Sequence, residues 1–250
     1  MPRFYVDSGI GFDKSITITG ADVNHIKNVL RLKCGDEITI GDGMGKDYLC
    51  KICEIGNDCV VADIEDVFAN ATELPVRITL FQGMPKSDKM EFIIQKAIEL
   101  GVTEIVPVMT KRTVVKIDEK KEQKKLERFQ AIAMSAAKQS GRGIVPKVKE
   151  FMTFKQALSY AKNLDMNIIP YEDARGIGYA KEVIGSVAKN KSLGIFIGPE
   201  GGFAKEEVDF AMSLGAKCIT LGNRILRTET AGMAILSILM FELESSMAKE

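Results

Sequence analysis

From Val76 to the end of the chain, short apolar runs alternate with helical patterns, and few folds are compatible with that order. The apolar runs have the length and composition of buried strands and lie at 77–82, 104–109, 166–171, 193–198 and 217–222. The helical patterns have the spacing of amphipathic helices and lie at 88–100, 119–140, 154–164, 205–214 and 229–244. Buried strands separated by helices usually pair in parallel, which predicts an α/β domain with a mostly parallel sheet.

The first seventy residues have a different pattern. Short runs rich in β-branched residues are separated by Gly-Asp-Gly and Gly-Asn-Asp turns, and they lie at 16–19, 36–41, 47–55 and 59–64. One helical segment, 21–31, places Val23, Ile26 and Leu30 on one face. Several short strands with one helix predict a small β-barrel. The change of pattern near residue 72 predicts two domains, 1–71 and 72–250.

The composition restricts the class of protein. Apolar residues make up 46% of the chain and charged residues 27%, which is ordinary for a soluble globular protein. The N-terminus lacks the apolar segment of a secretory signal, and the longest apolar stretch, 231–241, is too short to span a bilayer. Five cysteines, an odd number, are typical of reduced thiols inside cells. We therefore expect a cytoplasmic protein with no membrane partner.

The net charge of zero conceals an uneven distribution of charge. Residues 111–149 contain twelve Lys or Arg and four Asp or Glu, whereas residues 1–70 contain seven basic and twelve acidic side chains. A basic block in a neutral protein indicates a polyanionic partner such as RNA. The alternative is the solvated face of a helix, and charge alone does not decide between them.

Two motifs that suggest a metal or phosphate site have simpler interpretations. Cys50 and Cys53 are three residues apart on a predicted strand, so their thiols would point to opposite faces and could not share a metal. The segment GDGMGKD at 41–47 has Ile40 and Asp47 where a phosphate loop requires Gly and Ser or Thr. We predict a hairpin turn there and no metal site.

His25 is the sole histidine of the sequence and lies beside the apolar face of the 21–31 helix. Its titration range would suit a general base, but its polar neighbours favour a surface or RNA contact. With one histidine and no G-x-S-x-G turn, a Ser-His-Asp hydrolase has little support.

Two segments that follow predicted strands indicate a ligand site. The first, IFIGPEGGFAKEE at 195–207, runs from a strand through a glycine-rich turn into a helix, so its backbone amides can approach a ligand closely. A plain tight turn is the alternative interpretation. The second, ITLGNRILRTETAG at 219–232, places Arg224, Arg227 and Glu229 on the loop before the last helix. Neighbouring loops at strand ends, one glycine-rich and one charged, predict a cleft.

Taken together, these segments resemble the RsmE-type 16S rRNA (uridine-N3) methyltransferases of the SPOUT superfamily. GPEGG at 198–202 and LGNRILRTETA at 221–231 resemble the cofactor-binding signatures of that family. HIKNVLRLKCGDEI at 25–38 resembles its N-terminal barrel motif, and IIQKAIELGVTEIVPV at 93–108 and AAKQSGRGIVP at 136–146 resemble its central motifs. The resemblance covers nearly the whole chain.

The resemblance implies a SPOUT-type trefoil-knotted, mostly parallel sheet with an N-terminal PUA-like β-barrel, assembled as a homodimer. It implies S-adenosylmethionine as cofactor and methylation of N3 of a specific uridine in the decoding region of 16S rRNA, on the assembled small ribosomal subunit. The cofactor-binding residues that it implies are Gly198, Pro199, Glu200, Gly201, Gly202, Leu221, Gly222, Ile225, Leu226, Arg227, Thr230 and Ala231.

The chemistry of this reaction explains the residue types. The sulfonium supplies an activated methyl group, so no metal is needed, but uridine N3 must lose a proton before it can attack. The candidate catalytic residues are Arg227 and Arg142, as stabilisers of charge on the uracil carbonyls, and Glu229 as base. The residues expected to bind RNA are His25, Lys27, Arg31, Lys111, Arg112, Lys138 and Arg142.

Three other functions are alternatives to this one. Another SPOUT enzyme, which methylates a tRNA ribose or base, would carry a different appendage from the HIKNVLR motif at 25–31. A nucleotide-binding oxidoreductase with an RNA-binding domain would require the G-x-G-x-x-G spacing, which 198–202 lacks. A non-catalytic RNA-binding module would not need the intact cofactor signatures.

Overall fold

The computed structural model describes residues 1–6, 14–114 and 119–247, and residues 115–118 of the basic block lie outside this description. The chain divides into two compact units. The first contains Met1–Glu73 and Ala137–Val145, and the second contains Leu74–Ala136 and Pro146–Glu250. The first boundary thus lies two residues beyond the expected one. Residues 137–145, which the sequence pattern placed in the second domain, belong to the first unit.

The first unit is built on a five-stranded sheet with the order β1-β3-β4-β5-β2. Its strands are β1 (Arg3–Tyr5), β2 (Ser15–Thr19), β3 (Glu37–Gly41), β4 (Lys46–Ile55) and β5 (Cys59–Ala69). β1 pairs with β3 in parallel, and the other pairs are antiparallel. The four predicted strands are confirmed, and the apolar side chains that alternate along them form the core of this unit.

The predicted helix at 21–31 is in part a π-helix. It comprises α1 (Ala21–Asn24) and a π-helical turn at His25–Val29. Val23 and Ile26 are buried as predicted, but Leu30 is 38% exposed, so its assignment to the apolar face is wrong. The reason is the widened turn, in which the Leu30 amide donates to the carbonyl of His25, five residues back. This register carries Leu30 away from the core.

The hairpin predicted at 41–47 is confirmed. It joins β3 to β4, and the Asp42 amide donates to the Lys46 carbonyl at 3.1 Å. The prediction that the two thiols of β4 face opposite ways is also confirmed, because Cys50 is buried and Cys53 is exposed. Burial raises the pKa of the Cys50 thiol to about 11, so it stays protonated in the core.

Residues 137–145 accept hydrogen bonds from both ends of the segment Met1–Glu73. The Tyr5 hydroxyl donates to the Arg142 carbonyl, and the Arg3 guanidinium donates to the same oxygen at 3.0 Å. The Thr72 hydroxyl donates to the carbonyl of Gly141 at 3.1 Å. The last turn of a helix and the loop after it therefore complete the first unit.

The second unit contains a seven-stranded parallel sheet. Its order is β12-β10-β11-β6-β7-β8, with β9 also paired to β7. The strands are β6 (Arg77–Gly83), β7 (Glu104–Met109), β8 (Lys147–Val148), β9 (Met152–Thr153), β10 (Met166–Arg175), β11 (Ser192–Ile197) and β12 (Lys217–Ile219). All six residues of β11 are buried, as expected for a central parallel strand. The mostly parallel sheet is confirmed, and the knot stays a prediction.

Helices connect and cover these strands. They are α2 (Lys89–Glu99), α3 (Glu119–Ser140), α4 (Phe154–Ala161), α5 (Ile177–Gly185), α6 (Lys205–Ser213) and α7 (Thr228–Met247). The five predicted helices are confirmed. The pattern missed α5, which has Gly178 inside it and Gly185 as its last residue and therefore a weak helical signal.

The last helix is long and apolar enough to cross a membrane by length and composition alone. The apolar stretch that the sequence pattern considered, 231–241, is part of it. One face of α7 is buried in the second unit through Ile235, Leu236, Leu239 and Leu243. Length and composition do not by themselves distinguish a membrane span from the core helix of a soluble protein, which passes the same test.

Candidate active site

A cavity of about 450 Å³ lies in the second unit, lined by the segments after β11 and β12 and by the second half of β10. Ten of the twelve expected cofactor-binding residues line it, namely 198–202, Leu221, Gly222, Ile225, Leu226 and Ala231. Parallel strands bring their carboxyl ends to one edge of a sheet, and ligands bind at that edge in open α/β folds. The structure thus brings together two segments that are about twenty residues apart in sequence.

The other two expected cofactor residues do not line the cavity. Arg227 is exposed on the loop before α7, and Thr230 is exposed in the first turn of that helix. Their neighbour Thr228 is buried, lines the cavity and donates to the Gly198 carbonyl at 2.6 Å. Sequence analysis did not reveal this role of Thr228, because the contact with Gly198 spans thirty residues.

The conformation of the 198–202 loop requires glycine at two positions. A Cβ on Gly198 would lie 2.9 Å from the backbone carbon of Gly202, and Gly202 itself has φ +65°. The Gly202 amide donates to the Pro199 carbonyl at 2.8 Å, which closes the turn. The loop is therefore compact, and side chains at these positions would open it.

Sequence reasoning missed several residues of the cavity. Pro170, Tyr171 and Glu172 belong to the second half of β10, which the pattern identified only as a strand. Phe203 follows the glycine loop, lines the cavity and is 2% exposed. The position of 170–172 at the end of a predicted parallel strand was the signal that could have identified them.

Lys89 connects the glycine loop to the start of α7. Its ammonium lies 3.3 Å from a carboxylate oxygen of Glu229 and 3.6 Å from one of Glu200. The Glu200 carboxylate also accepts from the Lys86 amide at 3.0 Å. The sequence pattern did not single out Lys89, because its two partners are more than a hundred residues away.

The environment of Glu229 favours its ionised form. A hydrogen bond from its own backbone amide lowers its pKa most, and Lys89 and Arg227 lower it further, whereas burial opposes them. Glu229 lies in the first turn of α7, where the helix dipole also favours a negative charge. It is thus a carboxylate at neutral pH and a weak proton acceptor.

Arg142, expected in catalysis and RNA binding, lies in the first unit and does not line the cavity. Its side chain is 3% exposed and is 2.6 Å from the carboxylate of Glu73. Burial opposes the ionisation of Glu73 most, but bonds from Arg142 and from the Ile144 and Gly143 amides lower its pKa overall. The guanidinium is therefore engaged within the unit, which does not favour contact with a ligand.

The other residues expected to bind RNA differ in their surroundings. In the first unit, His25 and Arg31 are exposed, Lys27 donates to the Gly56 carbonyl at 2.7 Å, and Lys138 pairs with Asp22 at 3.0 Å. Among residues 1–6, 14–114 and 119–247, Arg31 makes no ion pair. Arg31 follows the π-helical turn and has a φ of +54°.

In the second unit, both residues expected to contact RNA lie beside the glycine loop. Lys111 pairs with Glu206 at 3.4 Å, and the Arg112 guanidinium donates to the Gly201 carbonyl at 2.8 Å. Arg112 also lines the cavity. Across the part of the chain that is described, no cluster of three or more His, Cys, Asp or Glu is placed to hold a metal.

Comparison with known proteins gives a separate match for each of the two parts of the chain. The RNA methyltransferase domain family matches residues 72–240, and the RNA methyltransferase PUA domain family matches residues 18–65. The ribosomal RNA small subunit methyltransferase E of Bacillus subtilis strain 168 is 37% identical over 98% of both chains. The enzyme of the same name from Mesomycoplasma hyopneumoniae strain 232 is 35% identical, over 95% of this chain and 98% of the relative.

A solved structure is similar over the same length. The ribosomal RNA small subunit methyltransferase E of Neisseria gonorrhoeae, crystallised with S-adenosylmethionine, superposes with a TM-score of 0.82 and 33% identity. The match covers 96% of this chain and 97% of that one. The chain therefore belongs to the ribosomal RNA small subunit methyltransferase E family, with a PUA domain ahead of its RNA methyltransferase domain.

Proposed function

We propose that this chain transfers the methyl group of S-adenosylmethionine to N3 of one uridine in the decoding region of 16S rRNA, within the assembled small ribosomal subunit. Methylation of small-subunit rRNA with this donor follows from membership of the family. The atom, the nucleotide and the state of the substrate are the finer part of the proposal. The reaction would take place in the cytoplasm, where ribosomal subunits are.

One observation carries this proposal: ten residues of the two cofactor signatures surround a single cavity of about 450 Å³. That volume is within the range of small-molecule sites, roughly 300–1,000 Å³. The lining combines apolar side chains, including Phe203 and Leu226, with the carboxylates of Glu172 and Glu200. This combination fits a ligand that joins an aromatic base to a cationic amino-acid chain. The residues present therefore fit S-adenosylmethionine.

The loops would act mainly by positioning. S-adenosylmethionine supplies an activated methyl group, so the protein must align that group with the acceptor and exclude water. The closed turn at 198–202 and the loop at 221–226 would hold the cofactor from two sides. Arg112, fixed to the Gly201 carbonyl, would keep the first loop closed.

Activation of uridine N3 would depend on charge stabilisation more than on a strong base. Glu229 has a lowered pKa and is held by Lys89, so it accepts a proton only weakly. Arg227 is exposed on the loop that leads into α7, from which its side chain can approach a bound base. We assign Arg227 the stabilisation of negative charge on the uracil carbonyls and Glu229 the role of proton acceptor.

Recognition of RNA would use exposed polar and charged side chains of the first unit. Arg31 lies at the end of the π-helical turn and His25 at its start, both exposed to solvent. Cations on such a surface bind phosphates and give an affinity that falls with salt. Lys27 and Lys138 would contribute less, since each already has a partner.

A homodimer is supported by the exposed face of α7. Ile238 is 44% exposed and Phe241 is 72% exposed on a helix whose opposite face is buried. A second copy would cover these side chains. Sedimentation velocity on the chain and on Phe241→Asp tests this point. A dimer that becomes a monomer in the variant supports it, and a monomer in both contradicts it.

The function is tested with small subunits from cells that lack the methylation. The purified protein is incubated with them, with and without S-adenosylmethionine, and reverse transcription is run across the decoding region. Because a methyl group on N3 blocks base pairing, we expect one stop that depends on the cofactor. Protein-free 16S rRNA serves as the comparison substrate and should give a much weaker stop. Cofactor binding without any stop on subunits would contradict the proposed target.

A further inference from the structure

We propose that Gln82 is a positioning residue, which fixes the two cofactor loops relative to each other through the hydroxyl of Thr228. The inference rests on the proposed function, because the loops that it concerns are those assigned to S-adenosylmethionine. Gln82 does not line the cavity and is no part of the two cofactor signatures. It lies near the end of β6, and its side chain is completely buried.

A chain of three hydrogen-bonded groups joins three elements at this point. The Gln82 amide nitrogen donates to the Thr228 hydroxyl at 2.9 Å and to the Gly83 carbonyl at 2.9 Å. The Thr228 hydroxyl in turn donates to the Gly198 carbonyl at 2.6 Å. β6, the first residue of α7 and the first residue of the glycine loop are thereby connected.

The directions of these bonds are determined by the donors available. A threonine hydroxyl has one hydrogen, and in Thr228 that hydrogen is used for Gly198, so the oxygen can only accept from Gln82. The Gln82 amide must therefore present its nitrogen to Thr228. Both amide hydrogens are then used, and Oε1 is left buried without a partner among the described residues. A buried acceptor without a donor is unfavourable, and this orientation nonetheless supplies both bonds.

Steric contacts make the same junction rigid. A Cβ on Gly83 would lie 2.6 Å from Cδ of Pro199, so the end of β6 packs directly on the glycine loop. Gly232, in the first turns of α7, faces Gln82 from the other side, with an added Cβ 3.9 Å from Oε1. Gln82 thus lies between the start of α7 and the glycine loop, and both line the cavity.

The consequence is a cavity that is formed before its ligand arrives. The Gly198 carbonyl begins the 198–202 loop, and Thr228 ends the loop that contains 221–226. When the bond between them is fixed, the cofactor does not have to order two independent loops on binding. Preorganisation of this kind increases affinity because less conformational entropy is lost.

The test compares Gln82→Leu and Thr228→Val with the matched control Thr228→Ser, which keeps the hydroxyl. Affinities for S-adenosylmethionine are measured by calorimetry on the purified proteins, and KM values are measured with small subunits. Gln82→Leu removes the bonds from Gln82 to Thr228 and Gly83, and Thr228→Val removes the bonds of Thr228 with Gln82 and Gly198. We expect each variant to weaken cofactor binding about tenfold, because each breaks the link between Gln82 and Gly198. Thr228→Ser should stay near the unaltered protein. KM for the cofactor should rise while KM for the subunit is unchanged.

A double variant, Gln82→Leu with Thr228→Val, separates this inference from a general loss of packing. If both residues act through one chain of bonds, the double variant binds the cofactor about as weakly as either single variant. Single variants with unaltered affinity, or a double variant whose losses multiply, would overturn the inference. Thr228→Val changes one atom of a small side chain, so it keeps the test valid if Gln82→Leu does not fold. An unaltered protein that binds no S-adenosylmethionine would overturn the proposed function itself.

Discussion

The guanidinium of Arg112 donates to the carbonyl oxygen of Gly201 at 2.8 Å, so a residue expected to bind RNA is attached to the glycine loop. The two residues also pack closely, since a Cβ added to Gly201 would lie 3.4 Å from the Cβ of Arg112. The loop after β7 therefore supports the loop after β11. A phosphate contact by the remaining guanidinium nitrogens is compatible with this bond.

This relationship predicts that Arg112→Ala weakens cofactor binding. The loss should be about threefold to tenfold, because one exposed hydrogen bond to the loop is removed. Calorimetry with S-adenosylmethionine measures it. Lys111→Ala is the matched control, since among the described residues the Lys111 ammonium pairs with Glu206, which is exposed. Equal cofactor affinity of Arg112→Ala and the unaltered protein would show that the bond does not support the loop.

Lys89→Met should raise the pKa of Glu229. The ammonium is one of the groups that hold this pKa below its ordinary value of 4.5, although the backbone hydrogen bond is the larger cause and remains. Titration of the labelled carboxyl carbon by NMR measures the change. Lys96→Met, which removes the partner of Glu99 on the same helix, should leave the Glu229 titration unaltered.

The effect of Lys89→Met on stability should depend on pH. A carboxyl whose pKa is lowered by folding stabilises the protein above its unfolded pKa, and that contribution is lost as the pH falls through the folded pKa. The difference in unfolding midpoint between Lys89→Met and the unaltered protein should thus be largest near neutral pH. It should shrink below pH 4.5, the ordinary value for glutamate. A difference that grows on acidification would contradict this assignment.

Arg142→Met should destabilise the protein by about 3–5 kcal/mol, because it leaves the carboxylate of Glu73 without its cation. Urea unfolding measures the change in free energy. Lys51→Met provides the comparison, since the Lys51–Glu65 pair is exposed and 4.0 Å apart. That variant should lose less than about 1 kcal/mol. If the two variants lost the same free energy of unfolding, burial would not determine how much the Arg142–Glu73 pair stabilises the protein.

Arg31→Asn should weaken binding to small subunits without changing affinity for S-adenosylmethionine. Asparagine tolerates the positive φ at this position, so the variant removes charge and leaves the backbone conformation. Filter binding over a range of salt concentrations measures the effect, and the salt slope should fall by about one unit. An unchanged slope would place Arg31 outside the RNA-binding surface.

Periodicity predicted the regular elements of this fold well, and most of the cavity lining followed from the two signatures. Both signals are local in sequence, since a strand, a helix and a glycine turn are each encoded within a few residues. The π-helical turn was missed because a single widened turn leaves the apolar spacing of Val23 and Ile26 intact. Leu30 was then assigned to the wrong face.

The residues whose surroundings the sequence pattern did not reveal all have distant partners. Arg142 was expected at a ligand because it is a cation in a basic block, but Glu73 lies 69 residues before it. Arg112 meets Gly201 across 89 residues, and Gln82 meets Thr228 across 146. Only the folded chain shows which charge or hydroxyl faces each of these side chains.

The assignment of residues 137–145 to the first unit also bears on how such chains can be recombined. The sheet of that unit is encoded before residue 74, yet a nine-residue segment from the middle of the gene product completes it. Exchange of the N-terminal portion between two relatives at a single crossover point would separate Tyr5 and Thr72 from Arg142 and Gly141. A functional chimera should therefore need three crossovers, after residues 73, 136 and 145, or a parent whose own segment places these two carbonyls in the same positions.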